Sequence, residues 1–276
     1  MATLVCFHAH PDDEAIGTGG IMTLAARAGH RVVLVIATRG ERGEIVPDVL
    51  DEGEQLAMRR TAEVYASAEA LGVSRVEFLG YVDSGMIGEP TNDEPWTFWQ
   101  ADVDAAARRL ATILTEEGAD TLTVYDDHGG YGHPDHIQVH RVGMRAAELA
   151  GVERVLEGTM NRDALARMVT AQASGDGGFD LPEGVELPDF SEIEFGTPEA
   201  ELTHVADVSG ATDAKRAALR AHRSQVADDH FFLAMPDAVF AVAMGTEWFI
   251  GHGPVGDAGC ALNGIVDRFE AAAGQP

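Results

Sequence analysis

The sequence predicts an α/β fold with a mostly parallel sheet and helices on both of its faces. Short β-rich segments alternate with amphipathic segments over the first 160 residues. One of them, RVVLVIA at residues 31–37, is apolar at nearly every position, as expected of a strand that is buried on both faces. Strict alternation of strand and helix favours parallel strands joined by helical crossovers.

The individual elements follow in chain order. Strands are predicted at residues 4–7, 31–37, 76–79, 121–125 and 154–158, and helices at 16–28, 51–71, 99–117 and 135–150. A further strand at 202–208 and a helix at 212–222 follow. We expect one domain over residues 1–276, with a Rossmann-like core in 1–160 and a C-terminal part in 161–276 that adds a few strands and helices. An acidic segment rich in Gly and Pro, residues 174–201, predicts a long excursion or a lid.

The chain is strongly acidic. It has 46 Asp and Glu residues against 19 Lys and Arg residues, which gives a formal net charge of −27, and Lys215 is its only lysine. Such a surface repels phosphate backbones and anionic lipids, so we expect neither nucleic acid nor a membrane as a partner. The charge is spread along most of the chain, which is typical of a solvated acidic surface rather than of a binding tail.

Compartment and cysteine usage agree with a cytoplasmic protein. Neither Cys6 nor Cys260 lies in a CxxC pair, so no disulfide framework is indicated. No apolar run approaches the roughly 18 residues of a membrane span. The N-terminus, MATLVCFHAHPDDE, lacks a basic region before its apolar segment, so we expect no cleaved signal peptide.

Two histidine-containing motifs directly follow predicted strands. The sequence HPDDE at residues 10–14 follows the first strand, and HPDH at residues 133–136 follows the fourth. The carboxyl ends of parallel strands share one edge of a sheet, so the fold can bring the motifs together. Imidazole and carboxylate groups bind zinc, and a catalytic zinc keeps one position for water. We expect His10 and Asp13 to face one metal ion together with a histidine of the second motif, and Asp12 to point elsewhere as a general base.

Simpler interpretations exist for each feature alone. A single HPDD turn is compatible with an Asp that caps the next helix, and the occurrence of two such motifs favours a metal site. Gly17, Gly19 and Gly20 do not match the nucleotide-binding pattern GxGxxG. We expect these glycines to let the first helix pack closely on the sheet.

The two motifs resemble those of the LmbE/PIG-L family of zinc-dependent N-deacetylases. AHPDDE (residues 9–14) and GHPDH (residues 132–136) match in order and spacing, and lesser similarities lie in residues 37–44, 59–73, 81–86 and 213–225. The resemblance is weakest around residues 174–191. It implies an LmbE-like fold and a Zn²⁺ ion held by His10, Asp13 and His136.

The resemblance also implies roles for the neighbouring residues. Asp12 has the position of the general base, and His133 that of the histidine that stabilises the oxyanion. Asp135 has the position of the carboxylate that orients His133, and Tyr131 that of a tyrosine that polarises the substrate carbonyl. In the predicted mechanism Asp12 takes a proton from the attacking water. Tyr131 and a protonated His133 then stabilise the charge on the former carbonyl oxygen.

The substrate follows from the resemblance alone. Arg60 and Asp83 correspond to positions that contact the sugar, with Arg59 as the neighbouring alternative to Arg60. The predicted reaction is removal of an acetyl group from the amide nitrogen of an N-acetylglucosamine-type small molecule. The alternative is an amidase that acts on a mycothiol-type thiol S-conjugate or on an acylated secondary metabolite. The intact residues Asp12, Tyr131 and His133 disfavour a carbohydrate-binding or regulatory protein that keeps zinc but not catalysis. The same ligands would accept iron(II), and family precedent leaves a homo-oligomer open.

Overall fold

A computed structural model describes residues 1–174, 195–255, 262 and 264–269 of the chain. Within these residues eight strands pair into one sheet. They are β1 (Thr3–His8), β2 (Arg31–Ile36), β3 (Arg75–Phe78), β4 (Thr121–Tyr125), β5 (Arg154–Thr159), β6 (His204–Asp207), β7 (Thr246–His252) and β8 (Asp267–Arg268). The strand order is β3-β2-β1-β4-β5-β7-β6-β8.

The α-helices of the described residues cover both faces of this sheet. They are α1 (Asp13–Gly17), α2 (Gly19–Arg27), α3 (Leu56–Leu71), α4 (Val103–Glu117), α5 (Gly129–Gly132), α6 (Pro134–Ala150), α7 (Arg162–Ala173), α8 (Thr212–Ala221), α9 (Phe231–Ala234) and α10 (Asp237–Met244). None of them is long and apolar enough to cross a membrane.

The topology confirms the predicted fold class. Strands β3, β2, β1, β4 and β5 are parallel, and β7, β6 and β8 extend the sheet in antiparallel pairing. From the central strand β1 the chain proceeds to β2 on one side, and β4 lies on the other side. The order of the strands therefore reverses between β1 and β4, which is where open α/β sheets place their ligands. The division of a single domain at residue 160 stays a prediction.

The core forms two apolar layers, one on each face of the sheet. Alternate residues of β1 serve different layers, because side chains along a strand point to opposite faces. Leu4 and Cys6 pack in the layer that includes α2, α3 and α8. Val5 and Phe7 pack in the layer that includes α4 and α6. The central strand β1 is thus buried on both faces. The apolar sequence of its neighbour β2 predicted the same burial for that strand.

Element boundaries differ from the predictions where capping decides them. The helix predicted at 16–28 is two helices that meet at Thr18, whose backbone is not helical (φ −137°, ψ 9°). Helix α4 begins four residues later than predicted, because the side chain of Asp102 accepts a hydrogen bond of 2.8 Å from the Ala105 amide. Gly20 packs so closely on Val208 that a Cβ atom would overlap the valine side chain. The close contact is thus with the residue that follows β6 and not with a strand, so the expected packing of these glycines on the sheet itself stays a prediction.

The C-terminal part is tied to the N-terminal helices by a buried ion pair. Lys215 Nζ lies 2.6 Å from Glu247 Oε1, and both side chains are almost completely buried. The Glu247 carboxylate also accepts hydrogen bonds from the amides of Gly20 and Ile21 at the start of α2. The first amides of a helix lack partners within the helix. The Glu247 carboxylate, which belongs to β7, therefore caps the N-terminus of α2.

The predicted acidic excursion lies largely outside the described residues, as does Cys260. Of residues 174–201, the structure describes 174 and 195–201. Within that part Gly196 donates a backbone hydrogen bond of 2.8 Å to Gly130 O, and so contacts the short helix α5 that follows β4. Cys6 is buried as a free thiol.

Candidate metal-dependent active site

The two histidine motifs meet at the carboxyl ends of β1 and β4. His10 follows β1, and His133 and His136 lie at the start of α6. The His10 ring centroid lies 4.6 Å from that of His133 and 5.4 Å from that of His136. Residues more than a hundred positions apart in the sequence are thus brought together at the point where the strand order reverses.

Asp13 lies between two of these histidines. Its Oδ2 atom is 3.4 Å from His10 Nδ1, and its Oδ1 atom is 3.5 Å from His136 Nε2. His136 Nε2 is buried and has no hydrogen-bond partner among the residues that the structure describes. A buried nitrogen without a partner is costly, and a metal ion would supply the missing interaction. The nitrogen and oxygen donors of His10, Asp13 and His136 are the type that zinc binds.

His133 belongs to the same cluster. One ring nitrogen from each of His10, His133 and His136 lies within 4.8 Å of the other two. The Nδ1 atom of His133 accepts a hydrogen bond of 3.1 Å from the Asp135 backbone amide. In a neutral ring this places the proton on Nε2.

The charge state of His133 differs from the predicted one. Burial and the neighbouring charges of His10 and His136 lower the pKa of His133 to about 3. The Asp83 carboxylate raises this pKa, but its effect is smaller. The ring is therefore neutral at pH 7, whereas the predicted mechanism has it protonated. A neutral His133 still offers its Nε2–H group as a hydrogen-bond donor.

The Asp135 side chain contacts His10 rather than His133. His10 Nε2 lies 3.1 Å from Asp135 Oδ2, and the completely buried carboxylate also accepts hydrogen bonds from the amide and the hydroxyl of Ser84. A carboxylate on the second nitrogen of a ligand histidine fixes the tautomer and orientation of the ring. The structure thus places the predicted orienting carboxylate on a different histidine.

Asp12 has a strained backbone at the turn between β1 and α1. Its φ of 109° lies in the left-handed region, which costs a non-glycine residue roughly 1–3 kcal/mol. The Asp12 amide donates to Glu14 Oε2 at 2.9 Å, which supports this conformation. Burial raises the pKa of the Asp12 carboxyl to about 6, while the Arg60 charge acts to lower it. A carboxylate with such a pKa is well suited to accept a proton near neutral pH.

Arg60 lies behind Asp12 and is only 3% exposed. Its guanidinium donates to the carbonyl oxygens of Gly40 and Pro11 as well as to the Asp12 carboxylate. Arg59, the alternative considered from the sequence, pairs with Glu54 instead. The position of Arg60 identifies it as the arginine of this pair that reaches the site. Its contact with a sugar stays a prediction.

Asp83 lies on the other side of His10. Its Oδ1 atom is 3.5 Å from His10 Nε2, and the carboxylate accepts hydrogen bonds from the amides of Arg42 and Gly85. Burial alone would raise the pKa of Asp83, but the His10 charge and these hydrogen bonds hold it below its ordinary value. The Asp83 charge and hydrogen bonds with Asp13, Asp135 and Asp83 raise the pKa of His10, against the effect of its burial.

Tyr131 reaches the cluster from the short helix α5. Its ring packs edge-on against His136 at a centroid distance of 5.0 Å and stacks on Phe195 at 6.3 Å. Gly129 makes this approach possible, since its φ is 69° and a Cβ atom there would lie 2.8 Å from His136 Cβ. Burial raises the pKa of the Tyr131 hydroxyl, so it carries its proton.

Several side chains around the cluster were not predicted from the sequence. Ser84 supports Asp135, and Tyr125 stacks on His136 with ring planes 9° apart. His222 Nε2 lies 2.6 Å from Glu14 Oε1 across 208 positions of sequence. Tyr125 was detectable as the last residue of a predicted strand beside the second motif. No local signal indicates the partner of His222.

A cluster of imidazole and carboxylate groups that could hold a metal ion, at the strand-reversal point of an α/β sheet, is typical of a metal-dependent hydrolase. The chain belongs to the PIG-L family, whose model, described as GlcNAc-PI de-N-acetylase, matches residues 5–147. The resemblance found in the sequence is thereby confirmed. A relative from Acidothermus cellulolyticus, named 1D-myo-inositol 2-acetamido-2-deoxy-alpha-D-glucopyranoside deacetylase, is 42% identical over 262 residues. The match covers 91% of this chain and 88% of the relative.

Solved structures share the fold at lower identity. The N,N'-diacetylchitobiose deacetylase from Pyrococcus horikoshii has a TM-score of 0.55 and 22% identity, covering 91% of this chain and 84% of its own. The 4-carboxy-2-hydroxymuconate hydratase from Pseudomonas putida KT2440 has a TM-score of 0.57 and 19% identity, covering 91% and 96%. A deacetylase and a hydratase thus share this fold, so the reaction has to be argued from the site.

Proposed function

We propose that this protein is a zinc-dependent hydrolase that removes the acetyl group from the amide nitrogen of an N-acetylglucosamine-type sugar. The grouping of His10, Asp13 and His136 beside Asp12, with a buried His136 nitrogen that lacks a partner, carries the proposal. The name of the 42% identical relative supports an acetamido sugar linked to inositol as the first substrate to test.

His10, Asp13 and His136 would hold the zinc ion. When bound, zinc polarises the amide carbonyl and lowers the pKa of a bound water to about 7. Asp135 keeps the His10 ring in the orientation in which Nδ1 faces Asp13, because it accepts the hydrogen bond of Nε2. We propose that the bound metal ion is zinc and not iron(II).

Asp12 acts as the general base. Its side chain is partly exposed, at 22%, so that water can reach it, whereas Asp13 is engaged with the two histidines. Asp12 takes a proton as water attacks the carbonyl carbon, and it returns a proton to the amine that leaves. The ion pair with Arg60 favours the ionised form that the first step requires.

Tyr131 and His133 provide hydrogen bonds to the oxygen that becomes negative during the attack. The Tyr131 hydroxyl keeps its proton because burial raises its pKa. The neutral His133 ring donates from Nε2, since its Nδ1 accepts from the Asp135 amide. Loss of one such donor typically reduces the rate by about 10²–10³.

Asp83 is the proposed contact for the sugar. Its carboxylate lies at the edge of the cluster, next to His10, and its orientation is fixed by the amides of Arg42 and Gly85. A fixed carboxylate of this kind can accept hydrogen bonds from sugar hydroxyl groups. Arg60 remains a second predicted sugar contact. A homo-oligomer and a cytoplasmic location stay predictions as well.

Acetate release tests the proposed function. The protein is stripped of metal with a chelator, reloaded with one equivalent of zinc and incubated with N-acetylglucosaminyl-inositol. We expect acetate only from the reloaded protein. A parallel incubation with a mycothiol-type S-conjugate measures amine release. Zinc-loaded protein that frees the amine of the conjugate but releases no acetate from the sugar would show that the amidase alternative is the correct one.

A further inference from the structure

Three side chains behind the metal cluster form a continuous hydrogen-bonded chain. Thr18 Oγ1 lies 2.7 Å from His8 Nε2, and His8 Nδ1 lies 2.9 Å from the Tyr125 hydroxyl. The Tyr125 hydroxyl in turn accepts a hydrogen bond of 3.4 Å from the backbone amide of Ala9, the residue before His10. Thr18 and His8 are each only 2% exposed, so water does not compete for these bonds. None of the three residues takes part in the proposed reaction.

The end of β1 anchors the same chain. The Tyr125 oxygen accepts from the Ala9 amide and also hydrogen-bonds His8 Nδ1. The hydroxyl end of the Tyr125 side chain is therefore held by a buried side chain and by the backbone next to His10. Buried hydrogen bonds that are fully satisfied make such a network rigid.

Tyr125 contacts the metal-binding cluster through its ring. The ring lies parallel to that of His136, with centroids 4.3 Å apart and planes 9° apart. One side chain is thus held at its hydroxyl by His8 and Ala9, and its ring orients the His136 imidazole. His136 is one of the three groups that would hold the metal.

We propose that Tyr125, backed by His8 and Thr18, is a positioning residue that holds His136 in a metal-binding orientation before the metal arrives. The inference rests on the metal site of the proposed function, but not on the identity of the substrate. Partners of this kind around metal ligands typically change metal affinity by about 10–100-fold.

Zinc affinity provides the direct test. Metal-free protein is titrated with zinc alone in competition with a zinc-binding dye. Tyr125→Phe keeps the ring but removes the hydroxyl, and we expect about tenfold weaker binding; Tyr125→Leu also removes the stacking, and we expect a loss closer to 100-fold. Tyr65→Phe is the matched control, because Tyr65 is an exposed tyrosine on α3, and its affinity should equal that of the wild type. Wild-type affinity in Tyr125→Phe would overturn the proposal.

Variants of Thr18 test the chain at its far end. Thr18→Val keeps the shape of the side chain but removes the donor, and we expect a smaller loss of zinc affinity, which Thr18→Ser restores. In the double variant with Tyr125→Phe, the Thr18→Val change should cost nothing further, because the chain is already interrupted. Additive losses would contradict the chain. Circular dichroism of each metal-free variant verifies that it is folded, and Thr18→Val remains informative if Tyr125→Phe does not fold.

The outcomes for the inference and for the function are distinguishable. A wild-type protein that binds zinc tightly but releases no acetate refutes the proposed reaction and leaves the role of Tyr125 intact. A wild-type protein that releases acetate and loses no zinc affinity on Tyr125→Phe refutes only the role of Tyr125.

Discussion

Arg60 and Asp12 form an ion pair in which Nη2 lies 3.1 Å from Oδ2. The same guanidinium donates to the carbonyl of Pro11, the residue before Asp12, and to that of Gly40. Arg60 therefore stabilises the ionised carboxylate of Asp12, the proposed base. It also fixes the backbone of Pro11, which precedes the left-handed conformation of Asp12. The position of this arginine links the helix α3 directly to the chemistry of the site.

Replacement of Arg60 should reduce turnover more than substrate affinity. A lysine cannot reproduce the several directed hydrogen bonds of a guanidinium. We expect Arg60→Lys to lower kcat by about tenfold or more, with KM near that of the wild type, in acetate-release kinetics. Arg59→Lys is the matched control, because the neighbouring arginine pairs with Glu54 instead. A raised KM with unchanged kcat would favour the predicted sugar contact.

Replacement of the proposed base and replacement of a proposed metal ligand should have different effects on the zinc content of the protein. Asp12 pairs with Arg60, whereas His10 faces Asp13. We expect Asp12→Ala to lose about 10²–10⁴ in rate while it retains zinc, and His10→Ala to lose both activity and zinc. Acetate release and elemental analysis of the same preparations measure the two quantities. Asp213→Asn, an exposed change on α8, serves as the control. An Asp12→Ala protein with full activity would exclude Asp12 as the base.

Asp135 should act on the metal through His10. Because its carboxylate accepts the hydrogen bond of His10 Nε2, we expect Asp135→Asn to weaken zinc binding by about 10–100-fold in dye competition. Ser84→Ala, which removes one support of that carboxylate, should give a smaller loss. Asp127→Asn replaces an exposed carboxylate nearby as a control. Unchanged zinc affinity together with a lower kcat would instead support the role predicted from the family, in which Asp135 orients His133.

The sequence was sufficient to predict the features that arise from local pattern. Apolar segments identified β1 and β2, and the position of each motif after a strand predicted where the motifs meet. Helical phase also distinguishes the two arginines, since Arg60 lies four residues from both Leu56 and Val64 on the buried face of α3. The local pattern alone therefore contained the information that Arg60, and not Arg59, faces the site.

Other features depend on contacts that no local pattern encodes. Strand β7 alternates buried and partly exposed residues at the antiparallel side of the sheet, and it was not predicted. The carboxylate of Asp135 has His10 and Ser84 as partners, which lie 125 and 51 positions away. Which of several nearby histidines it contacts is decided by the packing of α6 on the sheet, and the sequence motif does not specify it.

The buried pair of Glu14 and His222 should make the free energy of unfolding depend on pH in the acid range. Burial would raise the pKa of Glu14, but the His222 charge and hydrogen bonds from His222 and Ser67 lower it from 4.5 to about 2. Ionised Glu14 therefore stabilises the fold above pH 4.5, and this contribution is lost as the pH falls towards 2. The difference corresponds to about 3 kcal/mol of unfolding free energy.

The partner residue His222 limits the stability of the fold at high pH. Its own burial would lower its pKa, but the Glu14 carboxylate raises it above 6.5, so its contribution is complete below pH 6.5 and is lost as the pH rises through the higher folded value. Urea unfolding between pH 3 and pH 9 measures both limbs. We expect Glu14→Gln to be less stable at pH 6 and to show a flatter dependence below pH 4.5. Glu69→Gln, an exposed change on α3, should follow the wild type. Parallel curves for Glu14→Gln and the wild type would mean that the pair does not control acid stability.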